Sequence, residues 1–166
     1  MKLGKEHLNM KLYLKQKVFS WTDQFTVYDR EGRDYCYVKG ELFSWGTKLH
    51  ILDLSGNEIA YIEQKLMSFF PKYRIYRNGR EVAEVVQEFT FFRPRYSVNG
   101  PEWDVRGDFL GHDYEIMGGG RTIASVSKEW FTWGDAYEIN IADGLDEVLA
   151  LSVVLVIDAC IAASND

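Results

Sequence analysis

From Leu145 to Ala163 the chain reads LDEVLALSVVLVIDACIAA, and between Val148 and Ile157 only Ser152 interrupts the apolar residues. Asp143 and Asp146 precede the run. They offer an N-cap and place negative charge at the positive end of a helix dipole. As a helix, these residues would extend roughly 28 Å at ~1.5 Å rise. A helix apolar nearly all round must be enclosed on every side, by protein or by lipid. Asp158 interrupts the run, no basic flank follows it, and the unbroken stretch falls short of the ~18 residues of a spanning helix. Enclosure by protein, with no transmembrane span, is therefore the expectation, and the rest of the chain must supply the walls.

The preceding residues are short alternating segments separated by turn signals, among them Glu31-Gly32, Ser55-Gly56-Asn57, Asn78-Gly79, Asn99-Gly100 and Gly118-Gly119-Gly120. The segments repeat. IAYIEQKL (Ile59–Leu66), VAEVVQEF (Val82–Phe89) and IASVSKEW (Ile123–Trp130) share an aliphatic residue, Ala, any residue, an aliphatic, a polar pair and a large apolar residue. A second element recurs between them as VFSW (Val18–Trp21), LFSW (Leu42–Trp45), LMSFF (Leu66–Phe70), FTFF (Phe89–Phe92) and WFTW (Trp130–Trp133). After each copy a new strand opens, on Phe25, Leu49, Tyr73, Tyr96 or Tyr137. Such a period marks a repeat architecture; six units give about twelve strands.

Twelve strands suit a sandwich, a propeller or a barrel, and the terminal helix decides among them. About eight strands already enclose enough space for side chains, so twelve leave a lumen to be filled. A helix ~10–12 Å across is a suitable plug. The sequence thus predicts a mainly β protein: a closed twelve-stranded antiparallel barrel of six hairpins around a buried C-terminal helix at about 145–163. Residues 1–9 show no periodicity and read as a frayed leader without the apolar region of a secretory signal, ahead of one domain over 10–166. Alternation predicts Ala60, Ile62, Gln64 and Leu66 inward, with Ala83, Val85, Gln87 and Phe89 as their equivalents. The small alanines would let the helix approach the wall.

The FSWG and FTWG repeats, the aliphatic-Ala signature and the closing DGLDEVLALSVVLVID resemble the LURP-one-related family of plant and bacterial proteins, from about Met10 to Ile161. That family in turn is similar to the tubby C-terminal domain and the phospholipid scramblases. The resemblance implies a twelve-stranded barrel around a C-terminal helix, in agreement with the periodicity. For function it implies contact with lipid, since tubby domains bind phosphoinositides and scramblases move lipids. No tubby phosphoinositide motif aligns residue by residue, so no binding residue carries over, and kinship of fold is only associational for function.

Composition narrows the chemistry. With 19 Lys+Arg against 25 Asp+Glu the net charge is -6, which opposes general nucleic-acid binding. Cys36 and Cys160 are too few for a disulfide framework and fit no zinc spacing; they read as small core hydrophobes. The histidines are His7, His50 and His112. His112-Asp113 reads as a turn opening a strand, and the acidic tips Asp29–Asp34 and Asp53–Glu58 lack the length and terminal Glu of a dedicated calcium loop. No nucleophile–base pair or nucleotide loop can be assembled. The expectation is a non-catalytic domain that needs no cofactor or metal.

The informative polar feature is local and basic. KYRIYRNGR (Lys72–Arg80) and FFRPRYSV (Phe91–Val98) set Lys72, Arg74, Arg77, Arg93 and Arg95 on adjacent hairpins beside Phe69, Phe70, Phe91 and Phe92. A cationic patch among aromatics suits anionic phospholipid headgroups. The same cations lie within cross-strand reach of Glu81, Glu84 and Glu88, where pairing would serve solubility instead. Lys128 takes the inward polar position of Gln64 and Gln87 and calls for a buried partner, for which Asp158 on the helix is the expected residue. The expected function is a cytoplasmic binding or scaffold domain that docks on anionic phospholipid at the membrane surface. The alternative is a protein-interaction module anchored by Trp21, Trp45 and Trp133.

Overall fold

Alternation along the chain resolves into twelve strands and one helix in a computed structural model, which describes residues 9–15, 24–41, 44–91, 93–131 and 134–164. The strands are β1 (Met10–Lys15), β2 (Gln24–Tyr28), β3 (Asp34–Gly40), β4 (Lys48–Leu52), β5 (Glu58–Gln64) and β6 (Lys72–Arg77). They continue as β7 (Arg80–Phe89), β8 (Pro94–Asn99), β9 (Trp103–Asp108), β10 (Asp113–Gly118), β11 (Arg121–Phe131) and β12 (Gly134–Ile141), followed by α1 (Glu147–Ser164). Each strand pairs antiparallel with its sequence neighbours, and β1 pairs with β12 to close the barrel. Closure gives every strand a paired neighbour on both sides over part of its length.

Because the strands run up and down, the connections separate by end. The tight turns after β2, β4, β6, β8 and β10 lie at one end, here the base. The described linker residues 44–47, 65–71, 90–91 and 109–112 lie at the other, here the rim. The base turns follow local chemistry: Asp29 Oδ1 accepts the amides of Glu31 and Arg33, and Asp53 Oδ1 those of Ser55 and Asn57. These acidic tips are Asx turns, and no cluster of three metal-ligating side chains occurs among the described residues.

The helix begins at the base and ends at the rim, and Val148 to Cys160 are buried throughout. Asp146 Oδ1 accepts the Leu149 amide at 3.0 Å, so of the two candidate caps it is Asp146 that serves. The helix is long and apolar enough to cross a membrane, yet the barrel encloses it. It lies closest to β5, where Ala60 faces inward at 2% exposure.

The predicted inward set holds for Ala60, Ile62, Ala83, Val85 and Gln87, whereas Leu66 and Phe89 are exposed. Gln64 is half-buried. β5 ends at Gln64, so Leu66 sits in a turn beyond the last ladder pair and its parity no longer fixes its face. Phe89 ends β7 opposite Pro94, where the wall has run out above the helix.

Four inward tyrosines, Tyr73, Tyr96, Tyr114 and Tyr137, are fully buried toward the rim end of the helix. The Tyr73 and Tyr96 hydroxyls face Cys160 on the helix, and the Tyr137 hydroxyl faces Asp158. Tyr137 Oη donates to Asp158 Oδ2, and His112 stacks on the Tyr137 ring at 4.6 Å with Nε2 3.5 Å from Asp158 Oδ1. The predicted Lys128–Asp158 pair is corrected here. Lys128 stands opposite Tyr137 in the ladder but is exposed, while Asp158 is buried at 5% and takes Tyr137 and His112. From this layer the long lysine side chain reaches water, which removes the need for a buried counter-ion.

Cys36 and Cys160 are free and buried. Burial pushes the Cys36 thiol up to about 12. Burial likewise raises Cys160 to about 12, with the Tyr73 and Tyr96 hydroxyls pulling back. Neither has the electropositive, exposed setting of a reactive thiol.

Candidate functional site

The side chains expected to form one basic patch are distributed over the height of the barrel. Ladder register places Lys72 near the rim, Arg74 at mid-wall and Arg77 at the base. Lys72 Nζ lies 3.9 Å from Glu84, and Arg74 Nε lies 3.6 Å from Glu81 and 3.7 Å from Glu84. Arg77 Nη1 donates to both oxygens of Asp146 at 2.9 and 2.8 Å. It therefore braces the carboxylate that caps the helix, a structural role at the end away from the aromatics. On this face the cross-strand pairing anticipated from Glu81 and Glu84 is what forms.

Arg93 and Arg95 stand elsewhere, at the rim between β7 and β9. Here the wall opens. The β8–β9 ladder pairs Val98 with Trp103, Ser97 with Asp104 and Tyr96 with Val105. Above Tyr96, β8 stays with β7 through Arg95–Glu88 and Pro94–Phe89, while β9 stays with β10 through Gly107–Tyr114 and Asp108–Asp113. Pro94 has no amide hydrogen to offer. Gly107 adopts φ +137°, and a Cβ there would lie 2.5 Å from both Asp113 O and Tyr114 Cα. A side chain at 107 would push β9 off β10.

Two connected hollows occupy this seam. The inner one, about 480 Å³, lies between the end of α1 and strands β7 to β9; Gln87, Tyr96 and Cys160 form its deep end and Phe109 and Ile161 its apolar walls. Gln87 Nε2 donates to Tyr96 Oη at 3.2 Å. Phe109 drops from the β9–β10 linker into the mouth and meets Tyr96 edge-on at 4.8 Å. The outer one, about 330 Å³, opens on the wall beside Arg93, Arg95 and Arg106, and both hollows share Arg93, Pro94, Gly107 and Phe109.

Charge at the outer hollow is set by three guanidiniums and two nearby carboxylates. Arg95 Nε donates to Asp104 Oδ1 at 3.1 Å and Arg106 Nε to Asp104 Oδ2 at 2.7 Å. Partial burial pushes the Asp104 carboxyl up, but the two guanidiniums outweigh it and hold the group below its ordinary range. Glu88 stands opposite Arg95 across the β7–β8 ladder. Arg93 is exposed and has no ion-pair partner among the described residues. Asp108, at the cavity edge, is turned to the Gly111 amide at 3.0 Å.

Around this seam the rim exposes apolar side chains. Phe69 is 94% exposed, Trp45 86%, and Phe91 and Met67 fully, with Leu66, Phe89 and Leu110 also exposed. Phe70 joins two linkers by packing edge-on to Phe69 at 4.9 Å and against Phe89 at 6.1 Å. Met67 holds φ 62°, an unfavourable setting for a residue with a side chain that turns it to solvent. Of the interaction anchors expected from sequence, Trp45 is thus exposed, and Trp21 and Trp133 fall outside the described residues.

Sequence reasoning missed Arg106, Gly107 and the sixth linker, Phe109–His112. That linker carries Phe109 and Leu110 where the other copies are aromatic with Ser or Thr, and Tyr114 follows it as Tyr73 and Tyr96 follow theirs. The spacing was the available signal.

Comparison with known proteins agrees with this architecture. A family model described as LURP-one-related matches residues 10–158. The uncharacterised protein YxjI of Bacillus subtilis (strain 168) is 36% identical over 157 residues, covering 95% of this chain and 97% of that protein. An Arabidopsis thaliana protein solved by X-ray crystallography superposes with a TM-score of 0.66 at 14% identity, covering 93% of this chain and 92% of the other. At that identity the likeness is one of fold, the tubby-like barrel around a helix.

Proposed function

The chain belongs to the LURP-one-related family, and from that premise we propose that it is a non-catalytic, cytoplasmic lipid-binding domain that docks by its rim on anionic phospholipid membranes. The observation that carries the reading is the concentration of exposed apolar side chains at one end, where seven of them stand against Leu54 and Val82 toward the base. Trp45, Met67, Phe69, Phe91 and Leu110 project from linkers at the rim, and the base segments 29–34, 53–58 and 143–147 carry net negative charge. Contiguous exposed apolar surface marks a binding surface rather than a solubility feature.

Projecting side chains on separate loops form a convex surface, suited to entering the headgroup layer more than to filling a partner's groove. Lys65 and Arg93 stand among them, and each cation near an anionic leaflet contributes about 1 kcal/mol. The net charge of -6 opposes such a surface, so the barrel must approach rim first, with its acidic base away from the membrane. Arg77 takes no part in this contact, and Lys72 and Arg74 contribute little because Glu81 and Glu84 neutralise them.

Vesicle co-sedimentation tests the reading. Recovery should be high with phosphatidylglycerol vesicles and low with phosphatidylcholine, and should fall at least fivefold in a Phe69→Ser, Phe91→Ser double variant. Equal recovery from both vesicle types, or a double variant that behaves as wild type, removes the membrane reading.

A further inference from the structure

We propose that the β8–β9 seam is a binding site for a free single-chain anionic amphiphile, a long-chain fatty acid, with its chain in the inner hollow and its carboxylate at Arg93. The proposal rests on the lipid-binding reading above and narrows it to one ligand class.

The seam has both halves of such a site in the required order. Tyr96 and Val105 point inward, so their neighbours Arg95 and Arg106 point outward from the wall and line the outer hollow. The inner hollow is lined mainly by apolar atoms, with Gln87 and Tyr96 already satisfying one another at its deep end. At about 480 Å³ it falls within the ~300–1,000 Å³ usual for small-molecule sites. Arg93 stands where the hollows meet, and it is the guanidinium at the seam without a carboxylate partner among the described residues. A carboxylate there gains a charge-assisted hydrogen bond of the kind Asp104 accepts from Arg95 and from Arg106.

The seam's geometry favours one chain over a bilayer lipid. The outer hollow opens on the barrel wall beside Arg95 and Arg106, whereas the docking aromatics project from the rim, so a head drawn from Arg93 into that hollow leaves the membrane-facing end. The inner hollow is closed at its deep end by the helix and the β7 and β8 side chains, which leaves room for one chain.

Isothermal titration of the full-length protein with myristate, kept below its micellar range, tests the site. One myristate should bind saturably per chain, with tetradecanol at least tenfold weaker for want of charge. Arg93→Glu, on the surface, should weaken myristate at least tenfold. Ile161→Trp, which fills the inner hollow, should abolish uptake; should that variant not fold, Arg93→Glu carries the test. Absence of saturable uptake, indifference to Arg93→Glu, or equal binding of tetradecanol overturns the proposal.

Vesicle recovery separates this site from rim docking. The Phe69→Ser, Phe91→Ser variant should lose vesicles and keep myristate, since neither residue lines the hollows. If myristate fails while Ile161→Trp abolishes vesicle recovery, the chain comes from membrane phospholipid and the free-ligand proposal is wrong.

Discussion

Tyr137 donates from the last barrel strand to Asp158 on the enclosed helix, tying the wall to its plug through one buried hydrogen bond. Burial first, and then the Asp158 charge, raises the Tyr137 hydroxyl well above its ordinary pKa, so it remains a donor at any physiological pH. Tyr137→Phe leaves the carboxylate buried without that donor and should cost about 1–3 kcal/mol. Urea unfolding should show a lower midpoint at unchanged slope.

Ala60 is buried on the inner face of β5, the strand that packs most closely on the helix. Ala60→Leu inserts three carbons into a filled interior and should destabilise by about 1–3 kcal/mol, by displacing the helix or distorting side chains. Thermal unfolding read against Leu54→Ala, an exposed base-turn position, provides the control.

Gly107→Ala should be costly although the residue is exposed. Its φ of +137° is hostile to any side chain, and the added carbon meets β10 backbone at 2.5 Å. A loss of about 1–3 kcal/mol is expected, with amide-exchange protection falling first along β9 and β10.

His50 provides a pH signature on the outer wall. Its Nδ1 lies 2.5 Å from Glu58 and its Nε2 2.8 Å from Glu41. Burial lowers the imidazole pKa, but the two carboxylates more than restore it and the group ends above its ordinary 6.5. A raised folded pKa means this stabilisation is complete below the unfolded value and disappears as pH rises through the folded one. Glu41 is held below its usual range, by His50 first, so its own share is lost in acid. Wild type should exceed His50→Gln in stability near pH 6 by less than ~1 kcal/mol, the scale of an exposed pair, and the difference should vanish by pH 9 in parallel denaturation curves.

Much of the fold could be read from sequence because a period of two fixes the face of every ladder residue, and a helix apolar on all sides requires enclosure. Parity places Ala60, Ile62, Ala83 and Val85 correctly, and fails at Leu66, where the ladder stops and nothing further constrains the face. The site was harder to read. Arg74 and Arg95 look alike in sequence, and what separates them is which carboxylate lies across the ladder and whether the wall remains closed. The seam arises where β8 and β9 follow different neighbours above Tyr96 and Val105, a divergence that no local pattern encodes. Lys128 illustrates the same limit, since inward parity does not imply burial one layer from the mouth.

Hydrogen–deuterium exchange of the intact protein, with and without phosphatidylglycerol vesicles, tests rim-first docking most directly. Protection should rise in the linkers spanning 65–71, 90–93 and 109–112, while the base turns at 29–33, 53–57 and 78–79 exchange as before. Protection centred on the base turns, or unchanged exchange at both ends with vesicles in excess, contradicts the account.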